Sequence, residues 1–340
     1  MSRRHAAGGV PSPEVQYHDD VLRRDDGPPH APRAFDADPH EPAREVARTL
    51  TTADGAVVGY RLWRPGPPRR VLVLLHGLAS NLTRWSEFVA STSLRDTWDL
   101  LRLDLRGYGT SLYRGRVGPD VWCADLGAVL AREGCPPAVV VGHCLGASVA
   151  VELARRRPEQ VAALILIDPV VREALTGVLR RVARLRALLV PLAWGLRGLA
   201  ALGLHRRRLP SLDLAELDRE TRAALAAGGL GALAERYASP WEDLETTPAA
   251  TYLQSLLVVS RGLPDLAGLR VPVLALLASG GALSDPGLTE RAFAALAHGR
   301  VVRLEAEHWI PTERPEEMRR AIETWCRELE LEPALPRPPA

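Results

Sequence analysis

Lysine is absent from this 340-residue chain; all 43 of its basic residues are arginine. We read that as the codon bias of a GC-rich genome rather than as a functional signal. Set against 41 acidic residues, the arginines leave a net charge of +2, so bulk charge gives no argument for nucleic-acid binding. Cysteine is scarce, at positions 123, 135, 144 and 326 only, with no C-x-x-C pair and no His/Cys cluster at zinc spacing. That excludes the common metal and dithiol motifs. No apolar run reaches the ~18 residues needed to cross a bilayer. The opening MSRRHAAGGVPSPE has no apolar centre and does not read as a secretory signal. Reduced thiols in a cytoplasm, without stable membrane insertion, are therefore the expectation. Phenylalanine occurs only at Phe35, Phe88 and Phe293, which favours aliphatic over aromatic walls for a substrate site.

What is present is an alternation of apolar runs and amphipathic stretches, with 46% hydrophobic and 25% charged residues overall, as in soluble globular proteins. Residues 1–45, rich in Pro, Asp, Arg and Gly, read as a loosely attached tail. A hairpin follows, with its turn at Asp54-Gly55. The continuous apolar run 71–75 suits the interior of a parallel sheet. Further strands are expected over 100–105, 139–141, 161–167, 271–277 and 300–304. Helices are expected over 83–94, 122–133, 145–156, 288–297 and 315–331. The alternation breaks over 170–263, which has helical periodicity and no convincing strand. These patterns predict an α/β architecture whose mostly parallel sheet is built from 46–169 and 264–330, with 170–263 inserted as a helical cap. The Pro-rich end covers 331–340.

The stretch Val139–Ala147, VVVGHCLGA, carries the chemistry. A strand of β-branched residues runs into Gly142-His143-Cys144-Leu145-Gly146, and a helix-forming stretch begins at once. This is the G-x-S-x-G nucleophile elbow with cysteine in the serine position. The flanking glycines suit a turn too sharp for side chains. A thiol attacks only once ionised, and a helix N-terminus with a nearby histidine favours the thiolate. Cys123, Cys135 and Cys326 read as structural.

HGLASN at 76–81, DLRGYGTS at 104–111, GHCLGA at 142–147, the Asp285-Pro286 loop and AEHWIPTERPEE at 306–317 stand in the order found in α/β-hydrolase-fold proteins. From about residue 45 to 328 the chain resembles that superfamily, with the weakest match across 170–263. The cysteine makes it similar to dienelactone hydrolases and to Cys-type biosynthetic thioesterases. The resemblance implies that Cys144 is the nucleophile and His308 the base. It places the acid at Asp285, with Asp168 at the end of the preceding strand as the alternative. It puts the oxyanion donors at the backbone N–H groups of Leu78 and Leu145. His76 and His143 are expected to be structural, and Asp104 with Arg106 to fix a loop. No metal or organic cofactor is implied.

The expected activity is cleavage of an ester, lactone or thioester through a covalent cysteine acyl-enzyme, in a setting such as secondary metabolism. A non-hydrolytic cyclase, lyase or acyltransferase, and a catalytically dead scaffold, are the alternatives. Over 172–209 nine arginines accompany a single glutamate, interleaved with Leu, Val and Trp194. The expected arrangement is an amphipathic cap bent at Pro191, with a solvated arginine face and an apolar face toward the substrate entrance. A hydrophobic acyl group is the expected substrate. An acidic carrier protein and a membrane surface are alternative contacts for the arginine face.

Overall fold

The computed structural model describes residues 45–206, 208–226 and 239–331. The expected tail, apart from Glu45, and the Pro-rich end beyond 331 lie outside the described residues. Among the described residues eight strands form one sheet: β1 Glu45–Thr51, β2 Val57–Trp63, β3 Val71–Leu75, β4 Asp99–Leu103, β5 Ala138–His143, β6 Val161–Ile167, β7 Val273–Ala278 and β8 Gly299–Leu304. Their order is β1-β2-β4-β3-β5-β6-β7-β8. The hairpin β1–β2 is antiparallel, β2 meets β4 antiparallel, and all remaining pairings are parallel.

The strand chemistry explains the arrangement. Every residue of β3, VLVLL, is fully buried, as a strand covered on both faces requires. β1 alternates between exposed and half-buried positions, as an edge strand does. At the hairpin, Thr52 N–H donates to Ala56 O at 2.8 Å and Gly55 takes φ +80°, the left-handed conformation glycine supplies cheaply.

The helices are α1 Ser86–Ser91, α2 Pro119–Arg132, α3 Leu145–Arg156, α4 Gly177–Arg184, α5 Arg186–Ala201, α6 Leu214–Ala226, α7 Pro240–Thr246, α8 Ala249–Val259, α9 Pro286–Ala294, α10 Ile310–Glu313 and α11 Pro315–Leu331. Helices α2 and α3 contribute Leu126, Val129, Leu145 and Val149 to the core on one side of the sheet. On the other side α11 buries Met318, Ile322, Trp325 and Cys326 with Phe88 of α1; their spacing is one helical stripe. The run α4 to α8 lies between β6 and β7. The break in its first part falls at Leu185, between α4 and α5, whereas Pro191 sits inside α5. Proline in the second turn removes one backbone hydrogen bond, and the carbonyl it frees belongs to the exposed residue Ala187, where water can replace the bond.

Candidate active site

β5 ends at His143, and α3 begins at Leu145, so a single residue makes the turn. Cys144 makes it with φ +50° and ψ −105°, a strained conformation for a side-chain-bearing residue. Two close approaches dictate the flanking glycines. A Cβ on Gly142 would lie 2.3 Å from Gly146 O, and one on Gly146 would lie 2.5 Å from Leu75 O. The Cys144 N–H donates to Ile167 O at 3.0 Å, tying the turn to β6. Leu145 opens α3, so its N–H belongs to the first turn, which has no intrahelical acceptor. The loop after β3 passes alongside: a Cβ on Gly77 would lie 3.6 Å from that of Cys144. The loop at Gly77 and the first turn of α3 thus flank Cys144 from two elements.

His308 lies in the loop after β8, buried with Cys144. Its Nδ1 is 2.5 Å from Oδ2 of Asp168, and its ring is near enough to the Cys144 side chain for the two to interact electrostatically. Burial alone would lower the affinity of this imidazole for a proton. The charge of the Cys144 sulfur and the hydrogen bond to Asp168 outweigh that, and the pKa rises to about 10. Asp168 is held in turn. Its N–H donates to Leu276 O at 2.8 Å, its Oδ1 accepts from Ala278 N–H at 3.1 Å, and its φ is +40°.

The structure therefore brings Asp168 to His308, and the expectation for Asp285 is corrected. Asp285 is the N-cap of α9: its Oδ1 accepts from Leu288 N–H at 2.9 Å, and its own N–H donates to Ala174 O at 2.8 Å. Its carboxylate is engaged by the helix it starts.

The two competing histidines serve the backbone. His76 accepts from Leu105 N–H through Nε2 at 3.0 Å and donates from Nδ1 to Gly77 O at 2.8 Å. Burial holds its pKa below the ordinary value. His143 donates from Nε2 to His308 O at 3.2 Å. Burial, reinforced by the charge of His308, keeps it neutral. Asp104 does fix loops, but its partners are Leu82 N–H and Thr110, both backbone and hydroxyl. Arg106 instead pairs with Asp125 and Asp54. Burial raises the thiols of Cys123 and Cys326 to about 12, the behaviour of inert core cysteines.

Sequence reading missed Glu313. Its carboxylate accepts the N–H groups of Glu307, His308 and Trp309 at 3.0–3.3 Å, gathering the whole turn that presents His308. An acidic residue a few positions past an EHW turn is the available signal. Also unforeseen is a buried clamp in which Arg84 and Thr312 of the core meet Asp218 of α6. Among the described residues no group of three or more His, Cys, Asp or Glu side chains is placed to hold a metal ion, and no helix is long and apolar enough to cross a membrane.

The family model for the alpha/beta hydrolase family matches residues 72–321, and the chain belongs to that family. Among curated proteins it is similar to lipase LipV of Mycobacterium tuberculosis, 36% identical over 117 residues, which are 34% of this chain and 43% of the lipase. It is also similar to the sn-1-specific diacylglycerol lipase ABHD11 of Mus musculus, 31% identical over 97 residues, which are 28% of this chain and 32% of that one. The chain thus spans less than half the length of these relatives. Among solved structures, a hydrolase from Pseudomonas aeruginosa PA01 superposes with a TM-score of 0.59 at 21% identity, covering 82% of this chain and 98% of that one. The enol-lactonase from Burkholderia xenovorans LB400 gives 0.55 at 20%, covering 84% and 100%. At these identities the structural likeness speaks for the fold.

Proposed function

We propose that this protein is an acyl hydrolase that cleaves an ester or thioester through a covalent Cys144 acyl-enzyme. The observation that carries the reading is the buried His308 ring, held at Nδ1 by Asp168 and electrostatically coupled to Cys144 at the turn between β5 and α3. Curated relatives called lipase and diacylglycerol lipase support the ester class.

In this reading the Cys144 thiolate attacks the acyl carbonyl carbon, forming a C–S bond while the carbonyl electrons move to oxygen. The N–H groups of Leu78 and Leu145 hold that oxyanion. Collapse breaks the bond to the leaving group, which takes the proton from His308. His308, neutral again, then removes a proton from water as it attacks the thioester, and the acid and the thiolate separate. Asp168 keeps Nδ1 protonated and stabilises the imidazolium. The helices between β6 and β7 act as a cap that shapes the acyl site. A thioester intermediate is also open to amines and alcohols, so transfer or cyclisation differs from hydrolysis only in what replaces the water.

The test is turnover of a panel of nitrophenyl esters and acyl thioesters by the wild type and by Cys144→Ala, with product analysis in the presence and absence of a competing amine. Turnover that falls to background in the variant supports the reading. Equal activity of the two proteins, or none in either, contradicts it. Amide formed in place of free acid assigns the transfer branch.

A further inference from the structure

Helix α5 faces outward with the wrong chemistry for a helix in contact with water. Every exposed position from 187 to 201 is apolar or glycine. Leu188 is 71% exposed and Trp194 65%, and Leu202 just beyond the helix is 77% exposed. The inward side is satisfied separately, because Val190 and Ala193 pack with Leu257 of α8, and Arg186 donates to Leu257 O at 3.0 Å. The expectation that the apolar side of this segment turns inward and its arginines outward thus fails over α5. The helix is apolar nearly all round, and the exposed arginines sit at its two ends. Arg180, Arg181 and Arg184 lie on α4, and Arg206 and Arg208 follow α5. From 174 to 212 the sequence contains no acidic residue.

One edge of this face opens into a cavity of about 650 Å³ lined by Tyr113, Arg114, Trp194 and Arg197. The Arg197 Nε is buried and has no hydrogen-bond partner among the described residues. A buried guanidinium N–H beside an aromatic, at the rim of an apolar strip, matches a phosphate head over acyl chains.

We infer that the α4–α5 face docks on an anionic lipid bilayer, with α5 lying in the plane of the interface. Leu188, Leu192, Trp194 and Leu199 enter the headgroup–acyl boundary, and the arginines at both ends meet lipid phosphates. An apolar strip about 24 Å long, at 1.5 Å per residue, with a basic rim and no acidic residue fits that surface. A folded acidic partner would leave most of the leucine strip without a matching feature.

The experiment is co-sedimentation of the full chain with vesicles of phosphatidylcholine alone and of phosphatidylcholine with phosphatidylglycerol, at near-physiological salt. Leu188→Gln/Leu192→Gln/Leu199→Gln and Arg180→Gln/Arg181→Gln/Arg184→Gln are run in parallel. The expected result is binding to the anionic vesicles. The leucine variant loses at least about tenfold in partitioning, and the arginine variant roughly a hundredfold at about 1 kcal/mol per basic residue. Unchanged thermal melting and unchanged far-ultraviolet circular dichroism show that the variants are folded. The inference is overturned if the wild type ignores anionic vesicles, or if both variants bind as it does. It is equally overturned if the face instead mediates a dimer that the leucine variant converts to monomer, or captures an acidic carrier protein while vesicles are ignored.

Discussion

Replacing Asp168 by asparagine, with Asp285→Asn as its companion, separates two carboxylates that each precede a proline. The pKa of His308 stands at about 10 against an ordinary 6.5. At about 1.4 kcal/mol per pH unit, that interval corresponds to roughly 5 kcal/mol net favouring the imidazolium, what is left after the Cys144 sulfur and the Asp168 carboxylate have offset the cost of burial. A charge-assisted hydrogen bond to a buried imidazolium is worth about 2–3 kcal/mol, so losing the Asp168 charge costs about a hundredfold in kcat. An asparagine amide at 2.5 Å from Nδ1 also donates where the aspartate accepted, which stabilises the wrong tautomer and brings the expected loss to the order of 10³–10⁴. Asp285→Asn keeps a good N-cap on α9 and should leave kcat within about threefold. The assay is steady-state turnover of one activated ester by the two purified variants, with melting curves for each. A large loss in Asp285→Asn beside a near-normal Asp168→Asn would refute the assignment.

Three further outcomes follow from particular contacts. Gly146→Ala drives a Cβ into Leu75 O at 2.5 Å, so we expect a loss of roughly 3 kcal/mol or more, read from denaturant unfolding; a variant as stable as wild type would contradict the close approach. Glu313→Ala frees three N–H groups of the His308 turn and should lower kcat by about 10- to 100-fold with little change in KM, while Glu313→Gln, which keeps one acceptor oxygen, recovers part of it. His308 retains its proton until the pH passes about 10, so the falling limb of kcat/KM should lie there rather than near 6.5. A pKa raised on folding also means that its contribution to stability is complete below about 6.5 and is lost as the pH rises through about 10. Nitrogen NMR of the imidazole checks both, and the transition should move down in Asp168→Asn.

Much of this was legible in the residues. The strands over 71–75 and 161–167 match the observed bounds because continuous β-branched and leucine runs have few other stable placements. The elbow was legible because Gly142 and Gly146 report steric limits that any sequence forming this turn must respect. Which aspartate meets His308 was not legible. Asp168-Pro169 and Asp285-Pro286 are the same dipeptide after an apolar strand. What separates them is that Asp168 stays in the β6–β7 ladder, through Leu276 O, and turns with φ +40°, a backbone angle that side-chain identity does not encode. Glu313 escaped notice because its partners are backbone N–H groups, which every residue carries. Along 172–209 the mixture of leucine and arginine fixed helicity but not which side faces water, because α5 is apolar on both.

The central claim is that Cys144 forms a covalent acyl-enzyme, and intact-mass spectrometry tests it most directly. The protein is mixed with a panel of acyl thioesters and activated esters and quenched in acid within the first turnovers. One added acyl mass per chain, located to the peptide holding Cys144 and absent from Cys144→Ala, is the predicted result. An adduct that persists in Cys144→Ala, or substrate turnover with no acylated species under any quench, would contradict it.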